Sequence, residues 1–288
     1  MNILDDLKLQ YKLGGIAMRV IYWNIACFLI SLVFFYQYTA GGGFAYPTWL
    51  ALTSDPQVFM FKPWTFLTYA FFHSSFLHLL FNMLVLNFAS NLFLTFFNQK
   101  QYLGLYILGA IFSGIVFALS FYVLGTSASI VGASAAIMAI LVAATTYQPL
   151  MNVRLLIFGN VKLWHITGVI LLLDLMQLRL ENTGGHISHL AGAFFGFVYI
   201  KLLQNGTDLS IIVSKILDFF ANLFRKSPTT PFTKVHKNYK KPTEKTSSRI
   251  VTKDKTQQQI DEILDKISQS GYDCLTKEEK EFLFRAGK

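Results

Sequence analysis

The sequence predicts an all-α polytopic membrane protein with six transmembrane helices, the fourth of them short, and a small cytoplasmic helical tail. Hydrophobic residues make up 53% of the 288 residues and charged residues only 14%, whereas about a quarter of a soluble domain is charged. Residues 225–255 hold ten Lys and Arg against two acids. This distribution indicates a membrane domain with a basic soluble extension and argues against a soluble enzyme.

Six apolar stretches are candidates for the spans, since a helix needs about 20 mostly apolar residues to cross the hydrocarbon core. They are residues 20–38, 74–97, 102–124, 134–148, 163–179 and 187–204. Residues 1–19 then form a cytoplasmic N-terminus, and residues 20–204 form the membrane domain. The first connection, residues 39–73, carries Trp49 and Trp64. Because tryptophan favours the membrane–water interface, we expect this connection to lie on the bilayer or dip into it.

The positions of Lys and Arg orient the spans, because cytoplasmic loops carry an excess of positive charge. Most basic residues fall on the side of the membrane that holds both termini: Lys8, Lys12, Arg19, Lys100, Arg154, Lys162 and the cluster after span 6. The opposite side has only Lys62 and Arg179. Both termini are therefore predicted to be cytoplasmic.

The fourth span is too short to cross the membrane completely. A helix from Ser134 to Tyr147 rises about 20 Å, against a hydrocarbon core of roughly 30 Å. Its N-terminus should therefore lie below the outer surface, where the free N–H groups need water or protein around them. The sequence thus predicts a serine at a sunken helix start.

Polar residues cluster at the outer ends of spans 2 and 6 as well. His78 and Asn82 are four residues apart and share a helix face, and His73 lies near the junction of loop and helix. In span 6, Gly192 and Gly196 form a small-xxx-small pair that lets a neighbouring backbone approach closely.

If the neighbour of span 6 is the short helix, then His189, which shares the glycine stripe, meets Ser134. An adjacent base that takes the hydroxyl proton makes serine a nucleophile. Each residue also has a plainer interpretation, since a single intramembrane histidine or serine is commonly a packing residue. The occurrence of all these residues at one depth in the membrane favours a catalytic role over a packing role.

With these motifs in place, the chain resembles the rhomboid family of intramembrane serine proteases over about residues 15–205. His73-x4-His78-x3-Asn82 resembles the family's second-helix signature, and Gly132-Ala133-Ser134 resembles its nucleophile motif. The stretch GGHISHLAG, residues 184–192, resembles the motif of the catalytic histidine, and Trp64 resembles a tryptophan of the interfacial first loop.

The resemblance implies that Ser134 is the nucleophile and His189 the general base, in a dyad without an aspartate. It also implies an oxyanion hole formed by the Ser134 N–H and the side chains of His78 and Asn82. The supporting residues are Gly132, His73, Gly192 and Gly196. No metal or cofactor is needed. The expected substrates are transmembrane segments of other proteins, cut near the outer face where the helix is locally unstable.

Three positions depart from the family pattern. Ala135 stands where glycine is common, and alanine should preserve activity because it is small. Thr65 replaces a frequent arginine, which affects the anchoring of the first loop. Met138 replaces an aromatic residue that often packs on the catalytic histidine, so His189 should be positioned by helix contacts instead.

The chain is expected to be a multi-pass protein of a bacterial inner membrane. One alternative is a catalytically inactive rhomboid-like binding protein. Another is a proton-coupled transporter, suggested by Asp174 in span 5, since buried acids often mark ion paths; a position near the outer helix end favours a solvated or capping role instead. A metalloprotease is less consistent, because His73-x4-His78 is not an H-E-x-x-H motif.

The segment after the spans begins with a predicted amphipathic helix, residues 205–225, at the cytoplasmic interface. Its apolar face comprises Ile212, Ile216, Phe219, Phe220 and Leu223. Residues 226–254 are predicted to be a disordered basic linker that attracts anionic lipid. Nucleic-acid binding is not expected.

Residues 255–288 are predicted to form a small helical hairpin that docks on a partner or on the membrane domain. The first helix carries an apolar face made of Ile260, Ile263, Leu264 and Ile267, and Gly271 ends it. Thr276 and Glu279 form a capping box for the second helix. Cys27 and Cys274 lie far apart in the chain and predict no disulfide framework.

Overall fold

The computed structural model describes residues 2–38, 42–155, 159–180, 182–223 and 255–286. The chain divides into two compact units, Met1–Lys226 and Ser227–Lys288. The predicted disordered linker, residues 226–254, lies outside the described residues. The predicted class is confirmed at the level of a mostly helical protein with several apolar helices.

The first unit contains ten α-helices and one 3-10 turn, Tyr69–Phe71, among the described residues. In order they are α1 (Ile3–Leu13), α2 (Gly15–Phe34), α3 (Pro56–Phe59), α4 (Thr65–Thr68), α5 (Phe76–Leu94), α6 (Gln99–Leu124), α7 (Ser134–Tyr147), α8 (Leu163–Gln177), α9 (Thr183–Gln204) and α10 (Ser210–Leu223). Short antiparallel pairs occupy the connections: β1 (Tyr36–Gln37) with β2 (Gly43–Phe44), β3 (Leu52–Thr53) with β4 (Ser129–Ile130), and β5 (Asn152–Leu155) with β6 (Gly159–Lys162).

Four of these helices, α2, α5, α6 and α9, are long and apolar enough to cross a membrane. The other two apolar helices are shorter, with 14 residues in α7 and 15 in α8. The chain is therefore an integral membrane protein, and its sixfold crossing stays a prediction. Helix α7 begins at Ser134 and ends at Tyr147, as the sequence predicts.

Three helices begin earlier than predicted. Helix α2 starts at Gly15 rather than residue 20, and its Ile16 N–H donates to Gln99 Oε1 across 3.3 Å. Helix α6 starts at Gln99 rather than 102, because Asn98 caps it in a complete capping box. Helix α9 starts at Thr183 rather than 187, directly after Asn182, whose φ of 50° is left-handed. Polar side chains, which hydropathy does not register, bind the first N–H groups of α2 and α6, whereas Asn182 makes no side-chain capping bond at the start of α9.

Helix α7 lies at the centre of the first unit. Every residue from Ala135 to Ala144 is buried, and the helix packs against α5, α6, α8 and α9. Its many alanines leave room for neighbouring backbones. Helix α7 is therefore surrounded by protein, which a short helix in a membrane requires.

The first connection is anchored differently from the family pattern. Thr65 is 1% exposed, and its hydroxyl donates to the Lys62 carbonyl at 2.7 Å. The indole N–H of Trp64 donates to the Trp49 carbonyl at 2.9 Å. The pairing of β3 with β4 ties this connection to the segment that precedes α7. The departure at Thr65 therefore leaves the loop attached at several points.

Helix α10 is fixed to the first turns of α6. Ser210 is buried against Gly104, where a Cβ would clash with the serine. Asp208 accepts from Gln101 Nε2 at 3.1 Å and from the Ser210 N–H at 2.8 Å. Burial favours a raised pKa for Asp208, but the hydrogen bonds from Ser210 and Gln101 lower it overall. The carboxylate therefore stays charged and holds the start of α10.

The second unit is a helical hairpin, formed by α11 (Lys255–Ser270) and α12 (Lys277–Ala286). A 3-10 turn, Tyr272–Cys274, connects them. The predicted capping box is present, with the Thr276 N–H donating to Glu279 Oε2 at 2.8 Å and the Glu279 N–H donating to Thr276 Oγ1 at 3.3 Å. On the predicted apolar face Ile263 is buried, whereas Leu264 is half exposed. Both cysteines are free.

Candidate active site

Ser134 is the first residue of α7. The segment before it is fixed by the β3–β4 pair and by the Gly132 N–H, which donates to the Tyr69 carbonyl at 2.9 Å. The hydroxyl oxygen of Ser134 lies 2.6 Å from Nε2 of His189. A serine hydroxyl and an imidazole nitrogen at this distance form a hydrogen bond along which a proton can move.

Gly132 is required at this turn for two reasons. Its φ is 142°, a conformation that residues with a Cβ rarely adopt. A Cβ at this position would also lie 3.0 Å from Cε1 and 3.1 Å from Nε2 of His78. Glycine therefore allows the His78 ring to lie directly beside the start of α7.

His189 is oriented by a carboxylate on α8. Its Nδ1 lies 2.8 Å from Oδ1 of Asp174, and Nδ1 of His186 lies 2.7 Å from the same oxygen. Asp174 is only 6% exposed. The expectation of a solvated or capping role for Asp174 is therefore wrong, because the ends of α8 and α9 bring this side chain inside, against two histidines.

Close packing of α9 on α7 holds His189 at this position. A Cβ at Gly192 would overlap the carbonyl oxygen of Ala135, and a Cβ at Gly196 would overlap that of Ala139. The two glycines lie one turn apart and leave the backbones in direct contact. The glycine stripe thus places the helix that carries His189 against the helix that begins with Ser134.

The residues expected for the oxyanion hole lie on α5, beside Ser134. Nδ1 of His78 is 2.9 Å from the Ser74 hydroxyl, which leaves the opposite edge of the ring against Gly132. The amide nitrogen of Asn82 donates one hydrogen to the His78 carbonyl at 2.7 Å. Since an amide carries two hydrogens, one remains to donate into the site.

His73 supports this arrangement from behind. Its ring is fully buried and packs edge-on against His78, with ring centroids 5.1 Å apart. Its carbonyl accepts from the Tyr46 hydroxyl at 2.7 Å. Burial lowers the pKa of His73 to about 3. The ring is therefore neutral at ordinary pH and adds no charge beside His78.

These side chains line a cavity of about 560 Å³. Ser134, His189 and Asn82 lie on its polar side. Its apolar walls come from α5, α7 and α8, with Phe81, Val85, Ile137, Met138 and Ile170. A cavity with a few convergent polar groups and apolar walls suits an extended segment of an apolar peptide. Met138 lines this cavity and is not the residue that orients His189.

Asp174, His186 and His189 form the one cluster of three potential metal ligands within the described residues, with ligand atoms within 4.8 Å of one another. Such a set could take a metal ion in principle. However, both imidazole nitrogens point at one carboxylate oxygen at hydrogen-bond distance. The geometry is that of a hydrogen-bonded cluster in which the two histidines share one carboxylate oxygen.

The sequence pattern alone does not connect Asp174 and His186 to the site. Asp174 is the sole acid in the six apolar helices. It lies three residues before the end of α8, and His189 lies in the second turn of α9. An acid and a histidine at facing ends of consecutive helices are a usable signal. The sequence does not give the rotation of each helix about its axis, which decides whether the two side chains meet.

Comparison with known protein families gives two matches. A model of the rhomboid domain matches residues 61–205, just over half of the chain. A model of a family of unknown function (DUF6576) matches residues 251–286, which correspond to the C-terminal hairpin. No curated protein matches the chain at a significant level.

Proposed function

The chain belongs to the rhomboid family, and from this premise we propose that it is an intramembrane serine endopeptidase. In this proposal Ser134 is the nucleophile and His189 the general base, and the substrates are transmembrane segments of other proteins. The observation that carries it is the 2.6 Å contact between Ser134 Oγ and His189 Nε2 in a cavity with apolar walls.

The proposed reaction follows from this contact. Nε2 of His189 takes the hydroxyl proton as Ser134 Oγ bonds to the carbonyl carbon of the scissile peptide. The proton then passes to the leaving nitrogen, and the C–N bond breaks to leave an acyl-enzyme. Water, deprotonated by His189, cleaves the ester and restores Ser134. No step uses a metal or cofactor, so a chelator should leave cleavage unchanged.

The negative charge on the tetrahedral intermediate needs hydrogen-bond donors. We assign this role to the N–H of Ser134 and to the side chains of His78 and Asn82. The N-terminus of α7 adds free N–H groups and the positive end of a helix dipole. Preorganised donors of this kind are worth about 10²–10³ in rate for each one lost.

Fluorophosphonate labelling tests the proposal directly. The full-length protein is purified in detergent and treated with a fluorescent fluorophosphonate, which reacts with activated serines. Wild type should label, and Ser134→Ala and His189→Ala should not. If folded wild type stays unlabelled where a known serine hydrolase reacts, the chain is an inactive rhomboid-like binding protein.

The topology is part of the same proposal. Both termini are placed in the cytoplasm because basic residues concentrate on that side. The site then opens toward the outer face of a bacterial inner membrane. Cleavage of substrates near that face follows from the position of Ser134 at the sunken start of α7.

We also propose that α10 lies in the cytoplasmic membrane interface. Ser210 and Val213 are buried against the protein, while Ile212, Phe219 and Phe220 are half exposed or more. An apolar helix face that points away from the protein is stable when lipid covers it. The basic residues that follow would add about 1 kcal/mol each near an anionic surface.

Liposome flotation checks the lipid proposal. A peptide spanning residues 205–255 should float with vesicles that contain anionic lipid and much less with neutral vesicles, and added salt should weaken binding. A matched peptide with Phe219 and Phe220 changed to serine should bind less to both. Equal flotation with neutral and anionic vesicles would remove the proposed role of the basic residues.

A further inference from the structure

The side chain of Asp174 is buried where a charged group is costly. It belongs to the short apolar helix α8 and is 6% exposed. One carboxylate oxygen, Oδ1, meets both His189 and His186, while the other, Oδ2, is buried without a hydrogen-bond partner among the described residues. A carboxylate kept for stability alone would have its oxygens satisfied. Such an arrangement indicates a functional role.

We propose that Asp174 is a positioning residue for His189, and that His186 holds Asp174 in place. The inference rests on the proposed protease function and replaces its two-residue dyad with a chain of four: Ser134, His189, Asp174 and His186. Three hydrogen bonds connect this chain, with lengths of 2.6, 2.8 and 2.7 Å.

The first consequence concerns the tautomer of His189. An ionised carboxylate only accepts hydrogen bonds, so Nδ1 of His189 carries the proton and donates to Asp174. In the neutral ring, Nε2 then has a free lone pair directed at the Ser134 hydroxyl. Asp174 thus selects the tautomer that a general base needs.

The second consequence concerns charge. When His189 takes the proton from Ser134, it becomes an imidazolium in a surrounding of low polarity. The negative charge of Asp174, one hydrogen bond away, stabilises this cation strongly because few water dipoles screen it. The pair of charges forms as the reaction proceeds.

His186 fixes the carboxylate rather than the reacting groups. Its Nδ1 donates to Oδ1 of Asp174, and its ring stands nearly perpendicular to that of His189, at 84° with centroids 5.8 Å apart. With both histidines donating to one oxygen, the carboxylate cannot rotate without breaking a hydrogen bond. Met138 gives no such restraint, although an aromatic residue often does so at its position.

The test compares Asp174→Asn, Asp174→Glu and His186→Ala with wild type, as full-length proteins reconstituted in liposomes with a single-span substrate. We expect Asp174→Asn to lower kcat by about 10²–10⁴-fold with little change in KM, because binding does not use this group. Asp174→Glu should recover part of kcat, and His186→Ala should have an intermediate effect.

The pH profile separates positioning from a structural role. The titratable groups around His189 are Asp174 on α8, His186 on α9 and His78 on α5. A carboxylate favours the protonated imidazole, so its removal should move the acid limb of the kcat/KM profile to lower pH. A variant that merely loosens the fold would lower the thermal midpoint and leave that limb in place.

The outcomes distinguish the two proposals. Wild-type kcat and an unshifted acid limb in Asp174→Asn, with cleavage that still needs Ser134, would overturn the positioning role and leave the protease function intact. Wild type without Ser134-dependent cleavage would overturn both. A lower kcat with a shifted acid limb and an unchanged thermal midpoint supports the inference.

Discussion

Replacing Ser134 or His189 with alanine is expected to lower kcat for a transmembrane substrate by about 10⁵–10⁶-fold. The two groups act on one proton, across a 2.6 Å contact. Without the imidazole the hydroxyl stays protonated, and without the hydroxyl the imidazole has no nucleophile to activate. The double variant should therefore be no slower than either single variant.

The measurement is cleavage of a labelled single-span substrate in liposomes, with products resolved on a gel. Two control variants remove the same groups elsewhere. Ser120→Ala is on α6, where the serine hydroxyl donates to its own helix, and His165→Ala is on α8, where the exposed histidine ring contacts Trp164 at a tilt of 58°. Both should cleave as wild type does. Activity of Ser134→Ala within tenfold of wild type, or multiplicative losses in the double variant, would contradict a shared proton.

The oxyanion donors should give a smaller loss in the same assay. Asn82→Ala removes one donor and leaves the nucleophile and base in place, so kcat should fall by about 10²–10³-fold. KM should change little, because the donated hydrogen bond strengthens as charge develops. A smaller loss of kcat for Asn82→Ala than for Ser134→Ala or His189→Ala distinguishes a group that stabilises the charge of the intermediate from the groups that form the bond and move the proton.

The sequence predicts the helices better than it predicts their faces. The alanine-rich run after Gly132 marks α7 to the residue, because an apolar stretch begins directly at a turn that needs glycine. The boundary of α6 shifts by three residues because Asn98 caps that helix, and the boundary of α9 shifts by four residues, to the position directly after the left-handed Asn182. Hydropathy registers only apolar length, whereas in α6 a polar cap decides where the helix begins.

The candidate site, too, is predicted only in part from the sequence. Ser134 and His189 can be paired from sequence, because the glycine stripe implies which backbone α9 approaches. The pairing of Asp174 with His189 cannot be predicted from sequence, because it depends on the rotation of α8 about its axis. Helix α8 has no glycine stripe or strong polar face to fix that rotation. A single acid in apolar helices indicates a buried function but does not name its partner.

Gly192→Ala should reduce both the activity and the stability of the membrane unit. Its Cβ would overlap the carbonyl oxygen of Ala135. A Cβ and a carbonyl oxygen have positions set by the backbone, so no side-chain rotation relieves the contact. Helix α9 therefore has to move away from α7. His189, one turn earlier on α9, moves with it. A displacement of about 1 Å in a reacting group can cost about 10²-fold in rate.

We therefore expect Gly192→Ala to lose about 10²-fold or more in kcat and about 3 kcal/mol in stability. The first is measured by the cleavage assay and the second by thermal unfolding in detergent. Gly168→Ala on α8 is the matched control, since no heavy atom lies within 4 Å of an added Cβ there. It should keep both activity and stability, so the same methyl group is harmful only where two backbones touch.

Gly196→Ala then separates packing from catalysis. The overlap with the Ala139 carbonyl is equally severe, so the loss of stability should be similar. The position is nearly two turns from His189, however, and a tilt of α9 about this point displaces the imidazole less. A smaller loss of kcat than in Gly192→Ala, at equal loss of stability, means that the glycine stripe sets the distance between Ser134 and His189. Equal losses of kcat would instead make the stripe a general packing device with no particular role in placing the base.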